Sequence, residues 1–332
     1  MTRRTKISVG IITYNQQDTI RQTLDSILCQ KGDFELEIVV GEDCSADSTP
    51  AICREYADRY PKQVVLLENT HNLGIMANFA RVMKACTGDL IGICAGDDYW
   101  CDELKLQKQM IYLQSHPDCG VCTTGGYRYL VRRDQMVPGI APLTPIADGD
   151  VSKHYFSDSY LGGVYAMPLS MVFKRELLQH IDFDEYIQRG FPVEDYPMQA
   201  TMSMHTKWQH IDDLTVVYRV YTESATFISY NHPKYMQYHR GLMEIRRYLR
   251  DKFALKLYSY SEEYIQDYLF YREYLLYLFN GDYRKAKALV NNCKIDTQKV
   301  KQAKQMTSCR LIFALFRWYK KQSLIKDFNN RS

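Results

Sequence analysis

Lys6-Ile7-Ser8-Val9-Gly10-Ile11-Ile12-Thr13-Tyr14-Asn15 is the stretch that decides the fold. Residues 6–13 are a β-branched run, and Tyr14-Asn15 closes it, so the segment reads as a buried strand. Asp18 is placed to cap a helix whose apolar residues Ile20, Leu24, Ile27 and Leu28 recur at helical spacing. A second strand is predicted at 36–40, followed by Asp43-Cys44-Ser45-Ala46-Asp47-Ser48 and a helix through Ile52, Tyr56 and Tyr60. A third strand at 64–68, a helix at 77–85 and a fourth strand at 90–94 lead to Gly96-Asp97-Asp98. Strand and helix alternating at this pitch specify a doubly wound, mostly parallel α/β sheet. Ligands of such sheets lie beyond the carboxyl ends of the strands. Thr13, Tyr14, Asn15, Glu42, Asp43, Asp97 and Asp98 all follow predicted strands and therefore fall on that rim.

Further strands are expected at 121–130 and 162–173, the second made irregular by a Gly-Gly pair and Pro168, and a β-rich run at 216–221. The composition shifts near Asn231. Beyond it Tyr264, Tyr268, Tyr271 and Leu275 follow helical spacing, and Gly281-Asp282 supplies a C-cap and the next N-cap of a helical hairpin over 274–289. The division expected is 1–230 for the α/β part and 231–332 for a helical, basic region. Charge follows it: residues 1–230 carry 21 Lys and Arg against 30 Asp and Glu, whereas 231–332 carry 21 against 9.

With 332 residues, 46% hydrophobic and 24% charged, the chain is not disordered and can bury a core without metal or disulfide staples. No run approaches about 18 apolar residues, and the N-terminus has no signal-peptide pattern, so a cytoplasmic protein is expected. Ten scattered cysteines then read as reduced thiols. Cys119 and Cys122 have C-x-x-C spacing without a second cysteine or histidine pair, which argues against a zinc or redox site.

Adjacent carboxylates after a strand suit a hard divalent cation, because Mg²⁺ or Mn²⁺ binds one or two carboxylates while substrate phosphates fill other positions. The bland alternative is a solvated turn in which Asp98 caps the helix at 103–113. The pair has company, however. Ser8 to Asn15, Glu42-Asp43-Cys44-Ser45-Ala46-Asp47-Ser48-Thr49, Asn72-Leu73-Gly74 with Asn78, Gly96-Asp97-Asp98, Val193-Glu194-Asp195 and Tyr218-Arg219 occur in order and at suitable spacing. Over roughly residues 6–230 this resembles the family 2 glycosyltransferases of GT-A fold that build bacterial surface polysaccharides.

The resemblance implies that Tyr14 packs on the nucleotide base, with Thr13 and Asn15 shaping that pocket. It implies that Asp43 accepts hydrogen bonds from base or ribose, that Asn72 and Asn78 belong to the nucleotide-sugar site, and that Asp97 holds ribose or donor sugar. Asp98 would ligate the metal, Mn²⁺ or Mg²⁺, that bridges the diphosphate. Asp195 would be the catalytic base with Glu194 beside it. Asp195 also suits a plain helix start. Arg219 is placed either to clamp phosphate or to make a structural ion pair, and His205 and His210 are weaker candidates for diphosphate contacts. Two departures stand out: Ile12 occupies a common proline position, and Glu42-Asp43-Cys44 replaces Asp-Asp-Gly.

The expected reaction is inverting transfer of a sugar, UDP-linked by preference, to a hydroxyl of a surface-glycan or lipid-linked acceptor. A non-catalytic nucleotide-binding scaffold and a sugar nucleotidyltransferase are the alternatives. Acceptor specificity is expected in 127–165 and the tail. In the tail Leu311, Leu315, Trp318 and Ile325 interleave with Arg310, Arg317, Lys320, Lys321 and Lys326. That suits either a basic amphipathic helix on the inner face of an anionic membrane or a packed helix with a solvated basic face. Nucleic acid is not an expected partner, since the first part is acidic and holds no recognised module.

Overall fold

Strand β1 (Thr5–Thr13) buries Ile7, Val9 and Ile11 completely and pairs in parallel on both sides, with β2 (Phe34–Glu42) and with β4 (Leu90–Ala95). The computed structural model describes residues 3–140, 166–221 and 233–331. It divides into two compact units, Met1–Arg219 and Val220–Ser332. β3 (Val64–Glu68) adds a third parallel ladder on β2.

Beyond β4 the sheet changes character. β8 (Val172–Lys174) pairs antiparallel with β4 and with β6 (Cys119–Leu130). β5 (Tyr99–Trp100) pairs antiparallel with β9 (Lys207–Val220), and β7 (Gln135–Ile140) with β6. The order is β3-β2-β1-β4-β8-β6-β9-β5, with β7 attached to β6. The doubly wound half is thus parallel, as the strand and helix alternation implies. The other half owes its antiparallel ladders to long-range pairing that no local pattern encodes. The stretch 162–165 lies outside the described residues, and 168–170 forms a 3₁₀ turn before β8.

Helices α1 (Ile20–Leu28), α2 (Thr49–Arg59), α3 (Ile75–Ala85) and α4 (Lys105–Ser115) flank the sheet. α5 (Phe183–Gln188) and α6 (Asp195–Ser203) follow. Ile20, Leu24 and Ile27 are fully buried, as their spacing requires. Asp18 does not cap α1. The helix enters through a turn in which the Gln16 carbonyl accepts from the Thr19 and Ile20 amides at 3.1 and 3.0 Å. Asp98 does not cap α4 either, which starts at Lys105. Cys119 and Cys122 are both buried in β6, where residues three apart point to opposite faces, so their spacing serves packing.

In the second unit α7 (Tyr235–Phe253), α8 (Glu262–Asn280), α9 (Tyr283–Asn292), α10 (Gln298–Met306) and α11 (Arg310–Arg331) follow one another. Gly281 ends α8 at φ 76°, a left-handed value that glycine adopts without a Cβ clash, and the Asp282 side chain accepts from the Lys285 amide to start α9. The hairpin expected from the sequence is therefore present. Its core joins Tyr274, Leu278, Ala286, Val290, Val300, Ala303 and Phe313.

Candidate active site

Register brings the rim together. Thr13 faces Glu42 across β1 and β2, and Ile12 faces Ala95 across β1 and β4, so residues 13–15, 42–45 and 95–98 leave the sheet at one edge. Gly96 is required there, since a Cβ would lie 2.7 Å from the Thr13 hydroxyl. Thr13 is buried, its carbonyl accepting from the Asp43 amide at 3.1 Å and its hydroxyl lying 2.8 Å from Gln16 Oε1. Asn15 turns through φ 52° and its Oδ1 accepts from the Ala46 amide at 2.9 Å. That turn leaves Tyr14 47% exposed, its ring available to a planar ligand.

The loop after β2 is held by its own acids. Glu42, buried, accepts from the Cys44 and Ser45 amides at 3.1 and 2.8 Å. Cys44 sits at φ 60°, which explains why glycine is the common residue there and marks this cysteine as strained. Asp43 is also buried, and its carboxylate accepts from Asn69 Nδ2 at 2.8 Å, the Leu73 amide at 2.8 Å and the Gly74 amide at 2.9 Å. Asn72 donates to the Asp43 carbonyl at 3.2 Å, and Asn78 to the Gly41 carbonyl at 2.8 Å while accepting from Asn69. Asp43 and Asn78 therefore hold the framework, where the resemblance assigns them ligand contacts. Their side chains are committed to tying the segment 69–74 onto β2.

The acids after β4 have far less support. Asp98 is 3% exposed, and its Oδ1 accepts from the Arg219 amide at 2.8 Å. Burial, and then the charge of Asp97, push the Asp98 carboxyl well above the ordinary range, while burial also raises Asp97. The Arg219 guanidinium donates to the Asp97 carbonyl and to Gln22, and stacks 4.8 Å from the Tyr99 ring. It braces the acid loop. Its charge also lowers the proton affinity of Asp97 and Asp98, against the larger effect of burial.

Glu194 and Asp195 open α6. Asp195 Oδ1 accepts from the Tyr196 amide at 2.6 Å. Burial, with the adjacent Asp195 charge, pushes the Glu194 carboxyl up to about 8. His205 stacks on His180 at 3.7 Å, and His210 lies 2.9 Å from the Thr123 hydroxyl at the start of β9. Nine residues of strand, about 30 Å at 3.3 Å each, separate His210 from Arg219, so the diphosphate contacts considered for the histidines find no support.

Gln16, Gln22 and Asn69 brace the rim without having been legible, since lone amides carry no pattern. Lys105 is another such residue: fully buried, it donates to Gln109 at 2.7 Å, sits 4.3 Å from the Trp100 ring, and is pushed by burial down to about 7. Among the described residues no group of three or more His, Cys, Asp or Glu could hold a metal by itself. The donor set of Asp97 and Asp98 nevertheless fits Mg²⁺ or Mn²⁺: hard carboxylate oxygens that phosphate oxygens would complete.

The sequence pattern of "Glycosyl transferase family 2" matches residues 8–178, more than half of the chain. The chain belongs to this family. It is 31% identical over 152 residues to the putative glycosyltransferase EpsE of Bacillus subtilis, covering 45% of this chain and 54% of that one. It is 26% identical over 201 residues to the abequosyltransferase RfbV of Salmonella typhimurium, covering 56% and 58%. An uncharacterized Mycobacterium tuberculosis protein, Rv1520, is 43% identical over 116 residues, 35% of this chain and 34% of that one. The match thus spans between a third and three-fifths of the length of these relatives.

Solved structures give the fold. Staphylococcus aureus TarS 1-349 in complex with UDP-GlcNAc superposes with a TM-score of 0.55 at 14% identity, covering 97% of this chain and 92% of that one. The mannosyltransferase PcManGT of Pyrobaculum calidifontis, in complex with GDP-Man and Mn²⁺, gives 0.53 at 17% identity, covering 96% and 89%. The fold of this family 2 chain is therefore GT-A, with a helical C-terminal region. No helix among the described residues is long and apolar enough to cross a membrane.

Proposed function

We propose that this chain is an inverting, metal-dependent glycosyltransferase that moves a sugar from a nucleotide diphosphate, UDP by preference, to a hydroxyl of a surface glycan or lipid-linked acceptor. The observation that carries the reading is the Asp97–Asp98 pair at the end of β4, Asp98 buried and Asp97 half-buried, both with raised proton affinity, in a family 2 fold. Carboxylates whose proton affinity is raised chiefly by burial, and for Asp98 also by the charge of Asp97, gain from a divalent cation. The names of relatives support the same chemistry: RfbV is an abequosyltransferase, TarS is solved in complex with UDP and with UDP-GlcNAc, and PcManGT in complex with GDP-Man and Mn²⁺. The first unit is the catalytic one in this reading, and the helical unit is an accessory that touches the anionic inner face of a membrane.

The roles follow from the local chemistry. Tyr14, exposed, stacks on the base, and Thr13 with Asn15 holds the turn that presents it. Asp97 contacts ribose or donor sugar, and Asp98 is the metal ligand. Bound metal supplies Lewis-acid neutralisation of the leaving diphosphate. Asp195 takes the proton of the attacking acceptor hydroxyl, with Glu194 beside it as a support or acceptor contact. The phosphates are left to the metal and backbone, since Arg219 is engaged in the acid loop. A sugar nucleotidyltransferase would call for a glycine-rich basic phosphate loop, and Ile11 to Gln17 holds no glycine or lysine.

The test is thermal stability with UDP, dTDP, GDP and ADP, each with Mn²⁺ and with chelator. Ligand at 100 times its Kd stabilises by about 2.7 kcal/mol. A metal-dependent shift with UDP, followed by release of UDP from a UDP-sugar on adding acceptor, is the expected result. Binding without any product release would favour the non-catalytic scaffold.

A further inference from the structure

Arg128 stands in β6 just after a shift of register at Gly126-Tyr127. A bulge of that kind re-aims the side chains around it. Arg128 is partly buried, and its Nε is out of solvent without a hydrogen-bond partner. Across the ladder it faces Val137, while Pro138 and Met136 face its neighbours Tyr127 and Tyr129, so the paired strand offers no acid. Asp134, in the turn of this hairpin, accepts from the Tyr129 hydroxyl at 2.5 Å. Among the described residues no carboxylate or carbonyl accepts from Arg128. The same end of β6 runs beside the acid loop, since the Tyr129 hydroxyl lies within electrostatic reach of Arg219 and Tyr99. The hairpin also departs from its surroundings in charge. Residues 128–134 hold Arg128, Arg132 and Arg133 against Asp134, in a part of the chain, 1–230, where acids outnumber bases 30 to 21.

A guanidinium donor withdrawn from water and left unmet is costly, and such groups are rare in native folds. The loss is recovered when a ligand brings the acceptor. Arginine presents a fixed fork of donors that matches an oxyanion edge bidentately, and three arginines within seven residues favour a multiply charged group over a single carboxylate. We propose that Arg128 is a substrate-binding residue whose guanidinium receives a phosphate oxyanion beside the acid loop. The proposal rests on the glycosyltransferase reading, in which that oxyanion has two sources: the donor diphosphate, where Arg128 adds to metal and backbone, or the phosphate of a lipid-linked acceptor.

The experiment is calorimetric titration of the full chain with two probes: UDP with Mn²⁺ for the donor side, and geranyl diphosphate added to the UDP–Mn²⁺ complex for the acceptor side. Uridine and geraniol are the phosphate-free controls. R128M keeps the apolar stem and removes the fork; R132Q removes one charge from an exposed position of the same hairpin. R128M should weaken one diphosphate probe about 10–100-fold, the worth of a hydrogen bond to a charged group, and leave uridine and geraniol unchanged. R132Q should lose less than threefold. Loss with UDP assigns the donor phosphate, and loss with geranyl diphosphate the acceptor phosphate. Because the free protein leaves the Arg128 donor unmet, R128M should melt at the same temperature as the unaltered chain or above it. A lowered midpoint with unchanged binding would make Arg128 a packing residue and overturn the proposal. Unchanged affinity for every probe that the unaltered chain binds, or equal losses in R128M and R132Q, would overturn the phosphate site while the glycosyltransferase reading stands. No metal-dependent UDP binding by the unaltered chain would overturn both.

Discussion

The rim holds two sets of acids treated in opposite ways. Around β2, Glu42 and Asp43 are each surrounded by donors from the chain itself, and Glu37 lower on the same strand accepts from Lys6, Ser8 and Thr87. Around β4, Asp98 is buried with the Arg219 amide as the only described donor to its oxygens, and half-buried Asp97 has Gln16 and its own backbone. The first set is complete without a ligand. The second is kept short of donors in a dry site, and that shortage is what makes it a place for a cation. The difference teaches that a charge near a strand end says little by itself; what an acid does depends on how many hydrogen bonds the fold has already supplied to it.

The largest effect is expected outside both sets, at the start of α6. Asp195→Asn should lower kcat by about 10²–10⁴-fold with nucleotide affinity unchanged, in steady-state transfer assays; transfer at the unaltered rate would remove Asp195 as base. Glu37 tests the opposite class. Burial opposes its charge, but Lys6, Ser8 and Thr87 outweigh it and hold the carboxyl down to about 2. A depressed folded pKa gives stability that is fully present above the unfolded value and is lost as pH falls toward 2. Glu37→Gln should therefore cost on the order of 3 kcal/mol at pH 7 and almost nothing near pH 2, in urea titrations.

Asp98→Asn sharpens the contrast, because amide oxygen keeps the bond from Arg219 while the repulsion with Asp97 disappears. The free protein should gain about 1 kcal/mol and lose its metal-dependent stabilisation by nucleotide. An acid of the complete set would behave in reverse, losing stability on neutralisation. The smallest effect is expected at Cys44, whose left-handed backbone glycine would relieve. Cys44→Gly should stabilise by about 0.5–1 kcal/mol, read from the denaturation midpoint.

Much of this was legible. The strands around β1, the rim and the hairpin at Gly281 came from local chemistry: β-branched runs, turn residues, caps. Asp97 and Asp98 were legible as a pair because adjacent acids after a strand are chemically unusual. The framework role of Asp43 was not, because it depends on amides of Leu73 and Gly74, thirty residues on, reaching back across the strand end. Nor were β5 and most of β9, since Tyr99-Trp100 becomes a strand only by meeting Val216 and Val217. Much of 127–165, where acceptor specificity was expected, lies outside the described residues.

The bond from the Arg219 amide to Asp98 has a spectroscopic consequence. An amide proton shared with an ionised carboxylate resonates downfield of one shared with a neutral or cation-bound oxygen. The Arg219 proton is therefore a gauge of the charge on Asp98, readable in a ¹⁵N-labelled sample as metal or acid is added, with no substrate present.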